Sequence, residues 1–149
     1  MTYQNIIIGI GLLVGLFLFP KTKPNLLRAI FIGLAISFGL SFFKEPLLLN
    51  LSFFSFGALT LGFLIYQGLN GKWTNFVIGL FAFLSFLWSS MNWLLIGELR
   101  FLMLVPVGLY VWTLIKKRES ENGLSILTVF ACYELSEFVI LMEQWTQLD

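Results

Sequence analysis

Histidine is missing from this 149-residue sequence, and aspartate occurs once, as Asp149. Without them the chain cannot assemble a His-ligated haem, a His-rich zinc or iron site, or a histidine general base. A paired-aspartate protease, an aspartate-rich metal–pyrophosphate site and a Ser-His or Cys-His nucleophile are excluded on the same ground. A Ser-Lys dyad needs a lysine inside the fold, yet every lysine falls between apolar stretches or at their ends. No glycine-rich phosphate loop is present either. The expectation is a protein that is not an enzyme and that carries no cofactor and no metal.

Charge is scarce as well. Charged residues make up 11% of the chain and hydrophobic ones 58%, against about 25% and about 45–50% in soluble domains. A soluble fold of this size has to cover its surface with polar atoms, and here there are too few. Hydrocarbon as solvent removes that requirement, so composition places the chain in the membrane class. No basic stripe or basic-aromatic cluster marks a nucleic-acid site. The single cysteine, Cys132, cannot form an intrachain disulfide and reads as a small residue packed in a helix interface.

What the sequence does have is long apolar runs separated by short polar punctuation. Ile6 to Phe19 ends at Pro20-Lys21-Thr22-Lys23-Pro24, and Leu26 to Phe43 closes at Lys44-Glu45-Pro46. Asn70-Gly71-Lys72 divides two charge-free stretches, and Lys116-Lys117-Arg118-Glu119 ends the fifth run. Met1 to Asn5 carries no positive charge, and no small-residue cleavage site follows the first run, so it reads as a retained helix. The pattern predicts one transmembrane domain over 1–149, an all-α polytopic bundle of six short transmembrane helices. Their expected limits are about 5–19, 26–43, 47–69, 73–97, 99–115 and 124–143. Strands are excluded because the runs do not alternate and open strand edges cannot face lipid.

Orientation follows from the basic residues. With six spans, the loops after segments one, three and five share a side and hold Lys21, Lys23, Lys72, Lys116, Lys117 and Arg118, with Arg28 nearby. The other side has Lys44 with Glu45, Glu98 with Arg100, and an acidic tail. The positive-inside rule then puts both termini on the outer face of a cell membrane, the cytoplasmic membrane if the host is a bacterium. Trp73 and Trp112 fall at the expected cytoplasmic ends, Trp93 and Trp145 at the outer ends. Short loops make consecutive helices antiparallel neighbours, giving three hairpins.

The chemically pointed feature lies in segment six, Cys132-Tyr133-Glu134-Leu135-Ser136-Glu137. A spacing of three puts Glu134 and Glu137 on one helix face. Glu134 is roughly 15 Å along the axis from Leu124, near the bilayer centre. An acid at that depth costs a few kcal/mol, on the order of 3, unless it is neutral, paired or hydrated. One reading is an ion or proton path, or a contact with a partner helix. The other is structural. If Ile115 lies level with Leu124, Arg100 comes near Val139, within reach of Glu137 or Glu143, and Pro106 comes level with Glu134. Pro106 would then kink segment five and free the carbonyl of Leu102 for a protonated Glu134. Weaker polar positions are Asn50, Ser52, Ser55, Thr60, Ser85, Ser89, Ser90 and Asn92. Gly11 with Gly15, and Cys132 with Ser136, form small-xxx-small pairs that let helices approach closely.

From these residues the expected function is that of a non-enzymatic integral membrane subunit of a larger complex. Its partners would be the lipid bilayer, other membrane subunits or further copies of itself. The alternative is a small oligomeric proton- or cation-coupled transporter or channel that uses Glu134 and Glu137. A binding component for an apolar small molecule is compatible with the aromatic content, although no residue pattern singles it out.

Overall fold

The computed structural model describes residues 3–43, 45–90, 101–116 and 122–146, the last three of these by backbone alone. Six α-helices follow one another, with no strand among the described residues: α1 (Tyr3–Leu18), α2 (Asn25–Leu40), α3 (Pro46–Leu69), α4 (Trp73–Ser90), α5 (Leu104–Lys116) and α6 (Leu124–Thr146). Four stretches, Tyr3–Lys21, Pro46–Leu69, Trp73–Ser90 and Leu124–Glu143, are long and apolar enough to cross a membrane. α2 and α5 are shorter.

The punctuation residues set the breaks. Pro24 precedes the first residue of α2, and Pro46 is the first residue of α3, where a missing N–H costs nothing. Gly71 turns the chain from α3 into α4 at a φ of +67°, a left-handed conformation that suits glycine. α2 stops at Leu40, three residues before its expected end. There Phe42 and Phe43 donate to the carbonyls of Gly39 and Leu40, tightening the last turn and satisfying groups a helix end leaves open. The expected end of segment four and the start of segment five lie outside the described residues.

Helices consecutive in the chain run in opposite directions. Ser37 and Ser52 exchange hydroxyl-to-carbonyl bonds between α2 and α3 at 2.5 and 2.6 Å. Between α3 and α4, Gly57 lies under the Phe86 ring and Gly79 against Phe63. Tyr110 meets Thr128 at 2.6 Å and Phe101 meets Phe138, which fixes α5 antiparallel to α6. The turns after α1 and α3 and the end of α5 therefore share one end of the bundle, with Lys21, Lys23, Lys72 and Lys116; exposed Trp73 and Trp112 lie near it.

The first hairpin differs from the expected one. α1 takes α6, at the far end of the chain, as its main neighbour, and touches α2 chiefly near their connecting turn, where Gly15 and Phe19 meet Phe31. The small residues explain this choice. A Cβ at Gly11 would sit 2.6 Å from the Cβ of Cys132, and one at Gly15 would sit 3.0 Å from the carbonyl oxygen of Ser125. Glycine at both positions lets two helix backbones close to a distance that no larger residue permits. Thr22 and Ser125 share a 2.7 Å hydrogen bond at the foot of this contact, and Arg28 donates to the carbonyl of Thr22 at 2.8 Å.

The core is a single cluster that includes Leu27, Phe31, Leu34, Phe63, Ile78, Phe130, Ile126 and Leu127. The outside is as apolar as the inside: Phe17 is 86% exposed, Leu47 72%, Leu13 and Phe54 68% and Ile115 73%. A water-facing monomer does not carry contiguous apolar patches of that extent, whereas hydrocarbon accepts them without cost.

The glycines at the α1–α6 contact yield a direct prediction. Gly11→Ala should destabilise the folded chain by about 1–3 kcal/mol through overpacking. Gly62→Ala meets open space and should be neutral or stabilising by up to about 1 kcal/mol through helix propensity. Unfolding of both variants in a mild detergent measures the difference; equal effects would contradict the packing described.

Candidate functional site

α6 places Glu134 and Glu137 in different surroundings. Glu134 is fully buried, and its Oε2 accepts a hydrogen bond from the Ser85 hydroxyl of α4 at 2.9 Å. Its Oε1 is buried too and finds no hydrogen-bond partner. Glu137, one turn further along, accepts from the side-chain amide of Gln4 in α1 at 3.1 Å. Each acid is therefore held by a neutral polar group from another helix. Glu134 is sealed within the chain.

Pro106 lies in the first turn of α5, three residues into a helix that starts at Leu104. A 3-10 turn over 101–103 leads into α5, so Pro106 stands just after the change from 3-10 to α-helix, in the first α-helical turn, where proline is tolerated. The Tyr110–Thr128 contact keeps Pro106 near the level of Glu134, yet Glu134 turns to Ser85 on α4 rather than to the carbonyl of Leu102. Arg100, the expected partner of Glu137, lies outside the described residues, as does Asn92.

The other polar positions divide by location. Thr60 is buried and donates to the carbonyl of Phe56 in its own helix, while Ser89 and Ser90 are exposed. Ser52 is taken up by Ser37. One pair was not singled out by sequence: Gln67 at the end of α3 and Asn75 at the start of α4. Gln67 is fully buried and Asn75 2% exposed, and both amide nitrogens come within 3.4 Å of where a Cβ on Gly123 would stand. Both polar atoms of Gln67, and the Nδ2 of Asn75, have no hydrogen-bond partner. Burying such groups costs about 1–3 kcal/mol each. The available signal was a pair of amides flanking a Gly-Lys turn, which also fits an ordinary helix end.

Between this amide pair and Glu134 the interior is mainly apolar, and the buried hydroxyls there, on Thr60, Ser125 and Thr128, are hydrogen-bonded. Phe63, Ile78, Ala82 and Phe130 are fully buried, and the Phe63 and Phe130 rings meet edge to face with centroids 5.2 Å apart. The two polar levels, roughly 16 Å apart along α6, are separated by this plug.

At the opposite end of the bundle from Lys21, Lys23, Lys72 and Lys116, a crevice of about 490 Å³ opens between α1, α2, α3 and α6. It exists because α1 leans on α6 while α2 is tied to α3 through Ser37 and Ser52, so α1 and α2 part. Its rim carries Gln4, Asn5, Ser41 and Asn50; Leu34 and Val129 lie at its deep end.

The Ser85–Glu134 bond can be tested by a double-mutant cycle. Ser85→Ala leaves both carboxyl oxygens of Glu134 buried without a partner and should cost about 1–3 kcal/mol. Ser85→Ala with Glu134→Leu removes both partners and should cost less than Ser85→Ala alone, as read from unfolding midpoints. Additive losses would show that the hydroxyl does not serve the acid. No protein-family model, curated protein or solved structure matches the chain, so its functional reading rests on geometry alone.

Proposed function

We propose that the chain is a non-enzymatic, multi-pass subunit of a larger complex in the cell membrane, with six spans and both termini on the outer face. The observation that carries the reading is an apolar exterior around an interior that is plugged. Exposed Phe17, Leu13, Phe54 and Ile115 give the helices a surface for lipid and for other membrane helices. Phe63, Ile78, Ala82 and Phe130, all fully buried, fill much of the interior between the two polar levels. α2 and α5, about 24 and 20 Å long, are shorter than the hydrocarbon core, and short helices sit at lower cost beside protein neighbours than in bare lipid. The basic residues at one end support the orientation.

In this role Glu134 is an internal tie to α4, and lateral contacts come from the apolar faces. The alternative, a small oligomeric proton- or cation-coupled transporter or channel, has in its favour that Ser85, Glu134, Gln4 and Glu137 gather on one level of the interior. The aromatic plug speaks against it.

Gentle detergent purification from the native host, followed by intact-complex mass spectrometry, separates the two. The subunit reading predicts other membrane proteins in a fixed ratio that survives detergent exchange. A chain found alone or only with itself overturns it. Cation-driven flux in liposomes that disappears in Glu134→Gln with Glu137→Gln would then establish the carrier.

A further inference from the structure

The crevice between α1, α2, α3 and α6 has a chemistry of its own. None of its lining residues is charged. Its wall is a fan of rings: Phe53 and Phe86 have centroids 4.5 Å apart, Phe56 and Tyr133 4.7 Å, and Phe38 closes the α2 side. The hydroxyls of Ser37, Ser41 and Ser52 are spent on backbone carbonyls. Gln4 uses its amide nitrogen on Glu137, and its carbonyl oxygen makes no hydrogen bond to the described residues. Asn5 on α1 and Asn50 on α3 both line the crevice and make no hydrogen bond to the described residues. A volume of about 490 Å³ lies in the range of small-molecule sites, which combine an apolar, aromatic body with a few placed polar groups.

We infer that this crevice binds an uncharged, ring-bearing small molecule whose head group both donates and accepts hydrogen bonds. The rings take the flat apolar body by stacking and edge contacts. The carboxamides of Asn5 and Asn50 take the head group, since each offers donors and an acceptor. Ions are disfavoured, because a charge here would be desolvated with no opposite charge on the lining, and Glu137 behind the rim is already engaged by Gln4. A lipid acyl chain is disfavoured for the converse reason: it would cover the rim amides and satisfy none of them. The bond from Gln4 to Glu137 ties the occupied rim to α6, so binding would hold α1 in place.

The probe is benzophenone-4-carboxamide, an uncharged two-ring molecule with an amide head that cross-links to nearby C–H bonds under light. The full chain in phosphatidylcholine nanodiscs is irradiated with increasing probe, and the labelled peptides are mapped by mass spectrometry. Labelling should saturate and concentrate on the peptides of Phe53, Phe56 and Tyr133. Asn5→Leu with Asn50→Leu should weaken half-saturation by about tenfold or more. Ser41→Trp, which fills the rim and leaves both asparagines in place, should remove the saturable component. Labelling that grows linearly with probe and falls equally on lipid-facing Phe17 and Phe54 would overturn the inference. Saturable labelling indifferent to both asparagines would overturn it too, identifying the crevice as a slot for an apolar chain.

Discussion

Hydrocarbon around a protein takes away the force that normally collapses one. Apolar side chains gain nothing by leaving lipid for a core, so helices are held by close packing and by polar bonds between them. In this chain the constraint is met at the contact of α1 with α6. Gly11 and Gly15 bring the first helix onto Cys132, Thr128 and Ser125 of the last, and Thr22, Ser125, Gln4 and Glu137 bond across the two ends of that seam. Remaining features follow from it. α6 becomes the central element, with α1, α2, α4 and α5 around it and α3 reaching it through Phe63 and Phe56. α1, drawn to α6, leaves α2 to α3, and the crevice is the space between.

Polar groups inside such a bundle act on different scales. Ser37 and Ser52 bond to each other's backbone and add cohesion where helices already touch. Glu134 is more consequential, since a buried acid has few ways to be satisfied and each fixes a neighbour. Its choice of Ser85 binds α4 to α6 at the level where the aromatic plug ends. The amides of Gln67 and Asn75 sit below the plug, and the crevice opens above it. The molecule is thus organised in levels along the bundle axis, with a layer of Phe63, Ile78, Ala82 and Phe130 between a polar foot and a polar head.

Much of this was legible in the sequence for a physical reason. Prolines, the Asn70-Gly71-Lys72 turn and the lysines interrupt the apolar runs where a helix must end, so the element order and most limits could be read directly. The α5–α6 register followed from the length of their connection, and the close approach at Gly11, Gly15 and Cys132 was implicit in their spacing. Pairing between distant segments was not legible, because many helix faces here are equally apolar and none advertises its neighbour. That is why the sequence pairs α1 with α2, and why it does not point from Glu134 to Ser85 on α4. The crevice is a consequence of the same long-range pairing, and Gln4, Asn5 and Tyr133 acquire their places only through it.

The central claim is that these exposed apolar faces lie in hydrocarbon, and depth-resolved spin labelling tests it most directly. Labels at Phe54→Cys, Leu61→Cys and Ile65→Cys, in a Cys132→Ala background reconstituted into vesicles, report collisions with oxygen and with a water-soluble nickel complex. The account predicts frequent oxygen and rare nickel collisions at all three sites, with Lys72→Cys showing the reverse. Nickel collisions at Phe54 and Leu61 as frequent as at Lys72 would contradict it.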